Sequence, residues 1–166
     1  MHLDAQCDTA ERVWAVIPNA SLKSGFMGVK SKRHTLILTD RRVIFARSTV
    51  AMIGQRVADA RDRAKSEGKG LFGQLGAQVS ANWRWADRYL LTPPEQALAE
   101  TADNFAVARS VITNTSLKTK IHGSSWSYSQ YEEYLLVIKA RDRKYKIVLH
   151  FGRDRDESAL RVAGMI

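Results

Sequence analysis

The chain has 166 residues, 45% of them hydrophobic and 26% charged, which fits one globular domain whose core needs neither disulfide nor metal. Lysine and arginine outnumber aspartate and glutamate by 26 to 17, and the formal charge of +9 draws anionic lipid headgroups, nucleic acid or acidic proteins. A lone cysteine, Cys7, excludes an intrachain disulfide, and no apolar run approaches the roughly 20 residues that span a bilayer. The opening MHLDAQCDTAER carries acidic residues where a secretory leader would be basic, so the expectation is a soluble cytoplasmic chain, at most peripheral at the inner face of the membrane.

From the N-terminus, Val13, Ala15 and Ile17 alternate with Arg12, Trp14 and Val16, the period of a strand that Pro18 and Asn19 should stop. The polar stretch NASLKSGFMGVKSKRH reads as a loop or irregular strand. The runs TLIL and VIFAR then form a hairpin through Thr39, Asp40, Arg41 and Arg42, with the Asp40 carboxylate bonding to its own turn backbone. At Val50 the period lengthens. Val50, Ile53, Val57, Ala60 and Ala64 make one stripe on a helix ended by Gly68 and Gly70, and Phe72, Leu75, Val79, Trp83, Ala86 and Leu90 make a second. Thr92-Pro93-Pro94-Glu95 reads as a capping box opening a short helix to about Glu100. Strand patterns return at 106–113, 115–122, 134–140 and 145–151, with Arg141 to Lys144 as the last hairpin turn. In the final strand Tyr145, Ile147, Leu149 and Phe151 share a face. Asp154 or Asp156 should cap a closing helix that buries Leu160 and Ala163. Strands, then helices, then strands and one helix do not alternate as βαβ units do, which predicts a mainly antiparallel α+β fold.

Thr35-Leu36-Ile37-Leu38-Thr39-Asp40-Arg41-Arg42-Val43-Ile44-Phe45 resembles the second and third strands of bacterial pleckstrin-homology-like domains, and Ala102-Asp103-Asn104-Phe105-Ala106 resembles their entry into the fourth strand. The resemblance covers residues 11–47 and 103–166. It implies a single domain over 1–166: a seven-stranded antiparallel barrel of two nearly orthogonal sheets, capped by the C-terminal helix, with residues 50–101 as a helical insertion foreign to the family. It also implies a non-enzymatic binding module, although a shared fold supplies a scaffold and not an activity.

Three stretches are candidates for function. Lys23, Lys30, Lys32 and Arg33, in the loop between the first two strands, fall where eukaryotic pleckstrin-homology domains place a lysine/arginine motif for inositol phosphates. Clustered cations of this kind could grip an anionic lipid, or they could be a solvated basic loop. Phe72, Leu75, Val79, Trp83, Trp85 and Leu90, bracketed by Lys65, Lys69, Arg84 and Arg88, form a basic amphipathic segment suited to a membrane, a protein partner or a second copy of the chain; packing on its own sheet is the plainer reading. Trp126, Tyr128, Tyr131 and Tyr134 could stack on bases, but no lysine or arginine interleaves them, which argues against nucleic acid.

Chemistry-bearing patterns point away from catalysis and cofactors. Gly68-Lys69-Gly70-Leu71-Phe72-Gly73 spells a dinucleotide-type glycine pattern, yet it follows polar helical residues instead of a buried strand. His2, His34, His122 and His150 show no metal-ligand spacing, and one cysteine completes no zinc site. A third class is an enzyme or small-ligand carrier using a pocket between barrel and insertion, which a deep polar pocket holding His34, His122 or His150 beside carboxylates would revive. The expectation is a binding module that docks at an anionic membrane surface or on a protein through the basic loop and the inserted helices. The alternative is an oligomerising adaptor or scaffold that uses those helices for self-association.

Overall fold

The computed structural model describes residues 10–24, 30–49, 54, 58, 62, 85–123, 131–150 and 153–166. Seven strands form one antiparallel sheet: β1 (Val13–Ser24), β2 (Lys30–Thr39), β3 (Arg42–Arg47), β4 (Phe105–Ala108), β5 (Ile112–His122), β6 (Tyr131–Ala140) and β7 (Lys144–Leu149). Their order across the sheet is β4-β3-β2-β1-β7-β6-β5, and the sheet curls into a half-barrel. Short helices among the described residues include α1 (Pro94–Ala99) and α2 (Arg153–Val162). The expected α+β class is therefore present as a curled antiparallel sheet with a few short helices.

Period-2 alternation sends one face of each strand into the hollow. Leu36 and Leu38 from β2, Val43 and Phe45 from β3, Leu136 and Ile138 from β6, and Ile147 and Leu149 from β7 meet there. Leu160, Ala163 and Met165 close the same core from α2 and the residues after it. The expectation that the terminal helix buries Leu160 and Ala163 holds, as does the shared inner face of Tyr145, Ile147 and Leu149. Phe151 lies outside the described residues. On the convex side Ile37, Ile44 and Ala46 are covered by Tyr89 and Ala97.

Several local expectations are corrected. Pro18 and Asn19 do not stop β1; they sit in a bulge between Ile17 and Ala20, with Asn19 at φ 54°, and the strand continues to Ser24. Asparagine tolerates the left-handed region better than most residues, and bulges bend strands. This bulge lets β1 pair with β2 along its length and with β7 beyond it, through Ser21, Leu22 and Lys23. A second irregularity between Val13 and Ala15 turns Val13 to the convex cluster, away from Ala15 and Ile17. The predicted strand over 106–113 is broken by a 3-10 turn at Arg109–Val111, which separates β4 from β5.

The hairpin between β2 and β3 is present, but its cap is Thr39. The Thr39 hydroxyl accepts the Arg42 N–H at 2.9 Å and donates to Glu11 at 2.5 Å, while Asp40 accepts the Arg12 N–H at 2.9 Å. The capping box does not form either. Pro93 is the N-cap of α1, Thr92 donates back to the Arg88 carbonyl, and Glu95 pairs with Arg42 instead of the helix backbone. Pro94 does occupy the start of the helix, as expected. The proposed stripe of Val50, Ile53, Val57, Ala60 and Ala64 lies outside the described residues; the neighbouring Gly54, Ala58 and Asp62 are helical and exposed. At the end of the second stripe Ala86 is buried, but Leu90 is 48% exposed and Tyr89 takes its place. The helix tightens to a 3-10 turn at Arg88–Leu90, and three residues per turn put Tyr89 directly beneath Ala86.

Among the described residues no helix is long and apolar enough to cross a membrane.

Candidate functional site

The end of the hollow where β1 finishes and β2 begins holds a cavity of about 380 Å³. Its walls come from strands far apart in sequence: Leu22, Ser24, Lys32, His34, Phe105 and Tyr145 among them. Phe45 and Phe105 stack with centroids 4.5 Å apart and planes 7° apart, and Tyr145 lies 6.0 Å from Phe105 at 24°. The His34 ring stands edge-on to both phenylalanines at 6.1 Å. These contacts follow from register, because His34 is the first buried residue of β2, Phe45 pairs across β3–β4 with Phe105, and Tyr145 is the second residue of β7.

Charge rims this aromatic lining. Lys32, Arg143 and Lys144 line the cavity together with one carboxylate, Asp103, which has Arg47 at 3.7 Å and Lys32 at 3.8 Å. Lys23 also touches the cavity, but its ammonium is held by both oxygens of Glu133 at 2.9 and 3.1 Å. Burial alone would raise the Glu133 pKa; hydrogen bonds and charge from Lys23, then the charges of His122 and Lys120, overcome it and hold the group below its ordinary value.

His34 is 2% exposed, and burial pushes its pKa below the ordinary 6.5; the charges of Arg47 and Lys32 push the same way, against the Lys32 carbonyl bond and Asp103. Since the Lys32 carbonyl can only accept, Nδ1 must donate to it across 2.9 Å, which leaves Nε2 as the acceptor of a neutral ring. The folded pKa lies below the unfolded one, so the unfolded chain binds the proton more readily. Stability is therefore full above about pH 6.5 and declines as pH falls toward the folded value. His150 shifts in the same direction through burial and the charge of Arg33, so both histidines contribute. Urea titrations between pH 7.5 and about 5 should show this decline, and His34→Gln should remove the His34 part of it and leave that of His150.

The four basic residues read as one loop are not one cluster. Lys23, Lys30, Lys32 and Arg33 are strand residues, so the loop assignment is corrected. Alternation puts Lys30 and Lys32 on the His34 face and Arg33 on the Ile37 face, where its charge acts on His150. Of the quartet, Lys32 joins the cavity rim and Lys23 is neutralised there. The residues that the sequence reading missed are Arg143, Lys144, Tyr145 and Phe105; His34 was named there as the mark of a pocket for an enzyme or small-ligand carrier, and this cavity holds it together with Asp103. The basic run Arg141-Asp142-Arg143-Lys144 was the available signal, legible only as a turn. A further contact it could not show joins β1 to the chain after β7: the Ser21 hydroxyl and His150 Nε2 are 2.8 Å apart. His122 stacks on Tyr131 at 4.9 Å and stands 3.8 Å from Glu133, whose oxygens both serve Lys23.

Of the proposed helical interface, Phe72, Leu75, Val79, Trp83 and Arg84 lie outside the described residues. Trp85 is partly buried, with the Arg88 guanidinium 4.1 Å above its ring and 4.4 Å above Tyr89. Arg88 also bonds to Glu100 at 2.8 Å, and the Tyr89 hydroxyl donates to the same carboxylate at 2.7 Å. Burial and that carboxylate push the Tyr89 pKa up to about 12. Tyr89, held by these contacts, packs on the convex face of the chain's own sheet.

No cluster of three or more histidine, cysteine, aspartate or glutamate side chains suited to a metal occurs among the described residues. Compared with known proteins, the chain matches no family model, no curated protein and no solved structure.

Proposed function

We propose that the chain is a non-enzymatic binding module of the pleckstrin-homology-like kind that docks on an anionic membrane surface with the basic end of its curled sheet. The observation that carries this reading is the convergence of Lys32, Arg143 and Lys144 around one cavity, with Lys30 on the same strand face. The β2–β3 hairpin motif, the seven antiparallel strands and the terminal helix against the core support this reading. A net charge of +9 adds long-range attraction to the same surface.

Co-sedimentation with phosphatidylserine-containing vesicles tests the reading. Binding should fade with added salt, because exposed charges beyond a Debye length are screened. Each basic residue near an acidic bilayer contributes about 1 kcal/mol, so the pair Arg143→Glu and Lys144→Glu should weaken binding by about thirtyfold or more. Binding that ignores both salt and the double substitution would refute the proposal.

One observation favours self-association as a second reading. Leu90 and Leu91 are 48% and 91% exposed beside a groove lined by Val13, Arg41, Pro93 and Pro94. A mass by analytical ultracentrifugation that stays monomeric at high concentration would set this reading aside.

A further inference from the structure

Beyond attraction to a surface, the cavity has the walls of a site for an individual small molecule. Its volume of about 380 Å³ falls within the range of roughly 300–1,000 Å³ in which small-molecule pockets lie. Flat rings form much of the lining: Phe105 and Tyr145 are 24° from parallel, and the His34 imidazole stands at 79° to Phe105. Such walls offer stacked and edge-on contacts to a further ring. Leu22 extends the apolar surface.

The rim then selects charge. Asp103 is set against Arg47 and Lys32, and Glu133 holds Lys23, which leaves Arg143 and Lys144, both exposed, to set the sign of the mouth. A guanidinium fits a carboxylate in a two-point geometry that an ammonium does not offer. His34 adds no positive charge while it is neutral; its ring supplies an acceptor, suited to a hydroxyl or N–H on the ligand edge.

We infer that this cavity binds a small aromatic carboxylate, its ring against Phe105, Tyr145 and His34 and its carboxylate toward Arg143 and Lys144. This shares the basic rim with the proposed docking surface but needs the aromatic walls as well, so the two can fail separately.

The probes are 2-naphthoate and its uncharged counterpart 2-naphthamide, titrated into the full chain and followed by amide chemical shifts and calorimetry. Naphthoate should saturate, with shifts concentrated at His34, Phe105 and Tyr145, and naphthamide should bind at least about tenfold more weakly. Arg143→Glu with Lys144→Glu should abolish the preference for the carboxylate. Tyr145→Leu should weaken naphthoate while leaving binding to acidic vesicles intact. Equal affinity for the two probes, shifts located elsewhere, or no saturation would overturn the inference. Should naphthoate bind as described while vesicles do not, the cavity stands and the membrane reading falls.

Discussion

Replacing Leu160 by alanine is expected to lower the unfolding free energy by about 2–5 kcal/mol, the range for truncating a fully buried leucine. Leu160 is 0% exposed and meets core residues contributed by both halves of the sheet, from Ile17 and Leu36 to Leu136 and Ile147. The cost depends on how far the cavity left behind can collapse. Here collapse is restrained, because the residues after the helix are anchored independently. Arg109 bonds to the Ala163 carbonyl and to the Thr39 carbonyl, each at 2.6 Å, and the Thr115 hydroxyl donates to Met165. The helix therefore cannot simply slide inward, and a loss toward the upper part of that range is expected. A urea titration gives the value directly; a loss below about 1 kcal/mol would mean that the helix does not seal the core.

Arg42→Met should cost about 3 kcal/mol, and the loss should depend on pH. The guanidinium holds Glu11 through bonds of 3.0, 3.1 and 2.6 Å, with the two side chains 19% and 10% exposed. Removing one member of a shielded pair leaves the other charge unpaired, which is more damaging than removing both. Glu95, the second partner, is 78% exposed and contributes little. Burial alone would raise the Glu11 pKa; bonds from Arg42 and Thr39 overcome that and hold it below the ordinary 4.5. Because the folded value is the lower one, this contribution is complete above about pH 4.5 and disappears as pH drops through the folded pKa. Accordingly, the variant and the original chain should converge in stability in strong acid. Adding Glu11→Gln to Arg42→Met should restore part of the loss, and a double-mutant cycle measures the coupling.

How much of this was legible in the sequence depended on whether a residue's environment is local. The runs Leu36–Leu38 and Val43–Phe45 announce their strands as short continuous apolar runs, buried on both faces, and the turn between them is short enough to fix register. Leu160 and Ala163 were recognisable because residues three apart share one face of a helix. Asn19 was misread because proline and asparagine signal a turn, whereas the pairing of β1 with both β2 and β7 uses the bend as a bulge. Leu90 was misplaced because a switch from 3.6 to 3 residues per turn leaves no mark in an apolar pattern.

The site was least legible. Lys30, Lys32 and Arg33 drew attention as neighbours in sequence, yet on a strand neighbours point to opposite faces. Tyr145 and Phe105 reach His34 only through the curl of the sheet, and no spacing along the chain encodes that meeting. Lys23 looked equivalent to Lys32 until Glu133, 110 positions later, claimed it.

In the proposed function the chain meets an anionic surface with the end of the sheet that carries Lys32, Arg143 and Lys144. Hydrogen exchange read by mass spectrometry, with and without phosphatidylserine vesicles, addresses it most directly. Slowed exchange confined to residues 30–34 and 143–146, with 109–115 and 153–166 unchanged, is the predicted result. Protection centred on the terminal helix, or none at any residue under conditions where the chain sediments with vesicles, would contradict it.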